Sequence, residues 1–306
     1  MSVFFSQSYP NLRRIDLSNS KDLTDIPDLS RITNLERLDL SGCTSLSHIH
    51  SPIGFLKKLA FLNLRNCCNL VIIDFGHIGK MSSLKVLHLS GCTKLESTPD
   101  FTRATHLEYL DMDNCSSLST IHESIGVLSN LTFLSLRGCL ELDSIPTDIH
   151  SLISLQTLDL CGCLNLTDLL PRQAFSSHLI SLILLDLSFC NLQEVPGAIG
   201  ELRCLERLNL QGNKIFSIPS SFRALHCLAY LNLSHCHRLR PFDVLPIEGA
   251  TSGGRYFKTV SGSRDHRSGL YLFDCPRVFD NNWDLGWLFR LIKVHILQPC
   301  LFSFCL

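Results

Sequence analysis

The side chains of this chain with the most evident chemistry are its 15 cysteines and 13 histidines, residue types that ligate transition metals or supply nucleophiles. Two strings bring them close together, Cys161-Gly162-Cys163 and His235-Cys236-His237. A zinc site of the finger kind needs a second Cys or His pair at a set spacing, and neither string has one. Cys163 and Cys236 also fall on a repeating position described below, so their flanking residues are expected to point apart and no metal is expected. Cys67-Cys68 reads the same way, as one repeat residue and its neighbour. Ser, His and Asp are scattered without a nucleophile context, so no catalytic residue is assigned and the chain reads as non-enzymatic. Gly76-His77-Ile78-Gly79-Lys80-Met81 is the nearest string to a phosphate loop, and its spacing is wrong for one. No cofactor is expected.

The elements that carry these residues are set by leucine, 58 of the 306 residues. They recur in the pattern L-x-x-L-x-L-x-x-C/N-x-x-L-x-x-I-P. Units begin at Leu12, Leu35, Leu59, Leu84, Leu107, Leu131, Leu155, Leu182, Leu205 and Leu228, in steps of 23, 24, 25, 23, 24, 24, 27, 23 and 23 residues. Such a period marks a solenoid, in which each unit buries its apolar face only against its neighbours. The Leu-x-Leu in each unit has period two and reads as a strand. The second half, as in Pro52-Ile53-Gly54-Phe55-Leu56, is short and reads as a helical or 3₁₀ turn. The fold class expected is α/β: a horseshoe with a parallel concave sheet and short helical or irregular convex segments.

Cys43, Cys67, Cys92, Cys115, Cys139, Cys163, Cys190 and Cys236 all occupy the ninth position, with Asn213 and Ser20 in the two remaining units. They are expected to stack as a buried ladder. Neighbouring rungs lie about 4.8 Å apart, but side chains on one face of a ladder rarely meet the geometry of a disulfide. Positions three and five of each unit point to the concave side. Position five is rich in Asp and Asn; position three carries aromatics and arginines. The residues singled out there for binding a partner are Arg14, Asp16, Arg37, Asp39, Phe61, Tyr109, Asp111, Phe133, Asp159, Asp186, Arg207 and Tyr230. Aromatics and Arg anchor interfaces; the other reading of the Asp/Asn stripe is that it solvates the sheet.

Apolar residues make up 45% and charged ones 18%, which excludes a disordered chain. With 27 basic and 28 acidic residues the net charge is −1, so neither nucleic acid nor an anionic membrane surface is an expected partner. The most apolar window, Leu285 to Leu306, is broken by Arg290, Lys293, His295 and Pro299, and no membrane span is expected. Met1 to Pro10 lack the basic and leucine-rich stretches of a secretory signal, and an odd cysteine count in a long chain does not suit a disulfide framework. Both favour a reducing, intracellular setting, in which the sequons at Asn114, Asn130, Asn165 and Asn232 go unused. Four segments are expected: a stub over 1–11, the repeats over 12–245, a Gly/Ser-rich insertion over 246–269, and a terminal partial repeat with a truncated segment over 270–306. Both ends read as cut, so the expectation is a module of a larger protein or a truncated product.

Several units carry a resemblance. Leu12 to Ser20 (LRRIDLSNS), Leu35 to Cys43 (LERLDLSGC), Leu84 to Cys92 (LKVLHLSGC) and Leu95 to Asp100 (LESTPD) resemble the leucine-rich repeats of plant intracellular immune receptors. The subclass suggested carries an N-terminal Toll/interleukin-receptor domain and a nucleotide-binding domain. Leu270 to Pro276 (LYLFDCP) and Trp287 to Val294 look like the last repeat and the start of the post-repeat domain in that subclass. The resemblance spans about Pro10 to Leu297 and implies a cytoplasmic or nuclear module. Such a module recognises a pathogen protein or a modified host protein and restrains the nucleotide-binding domain of its own receptor. The phosphate loop and Toll-like domain have no counterpart here, so nucleotide binding and NAD cleavage are not carried over. A stand-alone intracellular scaffold is the alternative.

Overall fold

A computed structural model describes residues 9–29, 31–49, 51–75, 81–166, 179–240 and 269–279. Each repeat unit contributes one three-residue strand. Eleven such strands pair in parallel and in chain order, from Arg14–Asp16 to Gly269–Tyr271. The register joins like positions of successive units, Leu87 to Leu110 and Leu110 to Leu134, so each repeat position lines up from strand to strand. Positions one, four and six point the other way and are buried: Leu35, Leu38 and Leu40 have no exposed surface, and nor do Leu155, Leu158 and Leu160. On the convex side lie 3₁₀ turns, among them Glu123–Val127, Thr147–Ser151, Gly197–Glu201 and Ser220–Ala224. Pro146, Pro196 and Pro219 stand just before the last three, where a fixed φ and a missing N–H cost nothing. A small second sheet, His48–Ile49 with Ile72–Ile73, was not expected from the repeat.

The ninth-position ladder forms as read. Each of the eight ninth-position cysteines is buried, and its Sγ donates to the position-six carbonyl of the preceding unit at 3.0 to 3.3 Å. Cys275 continues the series into the closing strand, onto the Leu233 carbonyl at 3.0 Å. Asn213 does more in the same place: its Nδ2 donates to the Leu187 and Leu210 carbonyls, both at 2.8 Å, and its Oδ1 accepts from the Leu192 N–H at 3.0 Å. Burial pushes the Cys67, Cys115 and Cys163 thiols up to about 12, so the ladder is held in the neutral form.

Position eight has a rule of its own. Asn19, Gly42, Asn66, Gly91, Asn114, Gly138, Gly162, Phe189, Gly212, His235 and Asp274 all have left-handed backbone, with φ between 54° and 78°. That conformation lets the N–H of one unit reach the position-seven carbonyl of the next, as Gly42 does to Arg65 at 2.7 Å. Asn and Gly alternate at first because each Asn side chain leans over the following Gly. A Cβ on Gly91 would meet Asn66 Oδ1 at 2.3 Å.

Gly269, expected to end the insertion, instead opens the closing strand. The stub to residue 8, the phosphate-loop-like string over 76–80, the insertion up to 268 and the tail with Trp283 and Trp287 lie outside the described residues. Among the described residues no helix is long and apolar enough to cross a membrane.

Candidate protein-binding surface

Position three, joined by His88 from position five, builds a ribbon from Arg37 to Phe133 along the concave face. The Arg37 guanidinium sits 3.4 Å from the centre of the Phe61 ring. Phe61 meets the position-five His88 edge-on at 5.5 Å, His88 lies 5.1 Å from Tyr109, and Tyr109 stacks on Phe133 at 4.3 Å. A second patch follows at the far end, with Arg207 4.4 Å from the Tyr230 ring and Tyr230 5.0 Å from Tyr271. Thr157 and Leu184 separate the two. Phe61, Tyr109, Phe133 and Tyr230 were expected to be exposed; packed against their neighbours within each patch they are half-buried. Arg14 and Asp16, on the first strand, are exposed, and the register sets Arg14 beside Arg37 at the end of the first patch.

The position-five stripe is turned inward more than expected. Its side-chain oxygen accepts the N–H two residues on in Asp16, Asp39, Asp111, Asp159 and Asp186, at 2.9 to 3.2 Å. Asn63, Asn209 and Asn232 do the same. These groups satisfy the backbone where the strand turns away, which is the task Asx turns perform. Asp39 and Asp186 each also accept from the Asn one strand further along, Asn63 and Asn209. Asp111 corrects the expectation of a solvent-facing carboxylate most fully, being only 4% exposed. Arg65 covers it with an ion pair at 2.5 Å and His88 lies 3.2 Å away. Burial alone would raise its carboxyl, but the bonds from His88, Arg65 and the Asp113 N–H outweigh burial and hold it down at about 2. Asp159 makes no ion pair among the described residues, and Arg137 and the Cys161 N–H lower its carboxyl only in part. Burial first, and Asp186 next, push its carboxyl up to about 6. The sequon at Asn232 is only 8% exposed, which closes it sterically.

Residues 153–215 match the leucine rich repeat family model. The chain is 31% identical over 290 residues to TMV resistance protein N of Nicotiana glutinosa, an alignment covering 78% of this chain and 25% of that protein. Disease resistance protein RPP5 of Arabidopsis thaliana is 38% identical over 146 residues, covering 41% of this chain and 10% of that protein. The chain belongs to the leucine-rich repeat class of plant disease resistance proteins. It spans a quarter or less of the length of these relatives. Among solved structures, the leucine-rich repeat domain of the type III effector XopL is 27% identical with a TM-score of 0.54, covering 65% of this chain and 69% of that one.

Within this leucine-rich repeat frame, the pattern of positions three and five missed the groups that complete the surface. Arg65 and Asp113 occupy position seven, just past the strand, and face the same side; the Ser135 hydroxyl bonds Asp113. Tyr271 joins the second patch from the closing strand. The signal for Arg65 and Asp113 is their place two residues after an Asp or Asn whose side chain takes their N–H. A second correction concerns His235 and His237. They flank Cys236 but do not point apart, because position eight is a left-handed turn and not a strand, so alternation fails there. Both Nδ1 atoms approach Asp274, at 3.1 and 3.8 Å. Cys161 is buried, and its Sγ lies within 4.8 Å of a carboxylate oxygen of both Asp159 and Asp186.

Proposed function

We propose that this chain is the recognition part of a plant disease-resistance receptor, and that its concave face binds a protein partner through the Arg37–Phe61–His88–Tyr109–Phe133 ribbon. The ribbon itself carries the reading. It is a run of half-buried rings flanked by Arg37 and Arg65, and aromatic and Arg side chains supply most of the energy of protein interfaces. The position-five carboxylates, occupied by their own backbone, shape that surface and do not supply its main contacts. The partner is a pathogen protein or a modified host protein, recognised in the cytoplasm or nucleus. In the whole receptor the same module rests against the nucleotide-binding domain and restrains it. A partner that binds the open arrangement better then shifts the balance by its difference in affinity for the two states.

The test is alanine substitution at Tyr109 and Phe133 in a reconstituted receptor, with Ile153→Ala as an exposed control away from the ribbon. Loss of partner binding by about tenfold or more for each ribbon variant, with the control unchanged, is the expected result. Equal binding by all three variants contradicts the reading.

A further inference from the structure

At the far end of the array His235, His237 and Asp274 come together from segments 39 residues apart. His235 Nδ1 lies 3.1 Å from Asp274 Oδ2 and His237 Nδ1 lies 3.8 Å from the same oxygen. One donor atom from each residue lies within 4.8 Å of the other two. Register creates this meeting. His235 and Asp274 occupy position eight of adjacent rungs, both left-handed, with φ of 62° and 54°. The His235 N–H donates to the Phe273 carbonyl at 2.7 Å, and the Phe273 ring stands edge-on to the imidazole at 5.4 Å, fixing its plane.

Two imidazoles and a carboxylate form the donor set that N/O-binding divalent transition ions select, and Zn²⁺ accepts three protein ligands with a water in the fourth place. Tetrahedral bonds of about 2.0–2.2 Å put donor atoms about 3.4 Å apart. The observed 3.1 and 3.8 Å bracket that spacing. The side chains of His237 and Asp274 are 60% and 49% exposed, so each has the rotamer freedom to close the remainder. We propose that His235, His237 and Asp274 bind a divalent transition-metal ion that clips the closing strand Gly269–Tyr271 to the tenth unit. The strand otherwise holds by short backbone bonds, Leu233 N–H to Tyr271 O at 2.9 Å among them. Pairing it closes a long connection, and a metal bridging the two ends offsets that loop entropy.

The experiment is titration of the full chain with Zn²⁺ by calorimetry, in a Cys204→Ser, Cys227→Ser, Cys300→Ser, Cys305→Ser background that removes the exposed thiols among the described residues and the two of the tail. The expected result is one saturable event, weakened about tenfold or more by His237→Ala and by Asp274→Asn. Asn is chosen because it tolerates the left-handed backbone, and His237→Gln serves if the alanine variant loses its circular dichroism. Zn²⁺ is also expected to slow hydrogen exchange at the Leu233 and His235 amides in the parent chain. Absence of saturable binding, or an affinity unchanged in the folded variants, overturns the proposal.

Discussion

The ring of Tyr109 lies on that of Phe133 with centroids 4.3 Å apart and planes 2° from parallel. Both residues hold position three of successive units, and the parallel register pairs them directly. Stacked pairs add about 0.5–1.5 kcal/mol beyond area burial. A double-mutant cycle of Tyr109→Ala and Phe133→Ala, read by denaturant unfolding, is expected to show a coupling in that range. Additive losses would mean that the two rings touch without supporting one another.

Gly91 tests the alternation at position eight. An alanine there meets both a left-handed φ of 78° and a 2.3 Å approach to Asn66 Oδ1. Gly91→Ala is expected to destabilise the array by more than about 1 kcal/mol, the usual scale of the left-handed penalty alone. Adding Asn66→Gly should recover the steric part and leave the backbone part. No recovery would show that the Asn side chain is not what excludes a Cβ.

Acid dependence follows from two carboxylates with opposite signs. Asp159 is raised to about 6 by burial and then by Asp186, against 3.8 for the unfolded chain. The folded state therefore holds its proton more tightly. Its favourable contribution is complete below about 3.8 and is lost as pH rises through about 6. Asp111 is lowered to about 2, so its contribution is present above 3.8 and is lost as pH falls toward about 2. Asp159→Asn, which keeps an oxygen for the Cys161 N–H, is expected to raise the melting temperature more at about pH 7 than at about pH 4. An equal shift at both pH values contradicts the assignment.

The cysteines should separate by reactivity. Burial holds the ladder thiols neutral, with Cys67 and Cys163 raised to about 12, whereas Cys204 and Cys227 are exposed. Brief iodoacetamide labelling of the native protein, mapped by mass spectrometry, is expected to modify Cys204 and Cys227 first and to leave Cys92, Cys115 and Cys139 intact. Labelling of Cys115 at the rate of Cys204 would contradict the buried ladder.

The solenoid and the role of each ladder position were legible because both are periodic: Leu38 and Cys43 repeat their surroundings in unit after unit. The surface was legible only as direction. That Phe61 and Tyr109 share a side follows from alternation. The burial of Asp111 beneath Arg65 does not, since Arg65 lies 46 residues earlier and reaches across two strands. Position eight was hidden because its conformation is met by Asn, Gly, Phe, His and Asp alike, so backbone geometry repeats there while residue type does not. The approach of His235 and His237 to Asp274 was hidden for the same reason.

Contact through the concave ribbon is read out by site-specific photocrosslinking. A photoreactive phenylalanine analogue is placed at Tyr109 in one receptor and at the exposed Ile153 in another, and each is irradiated while responding to its activating partner. A covalent adduct with the partner is expected from Tyr109 and none from Ile153; an adduct from Ile153 alone would rule out contact through the ribbon.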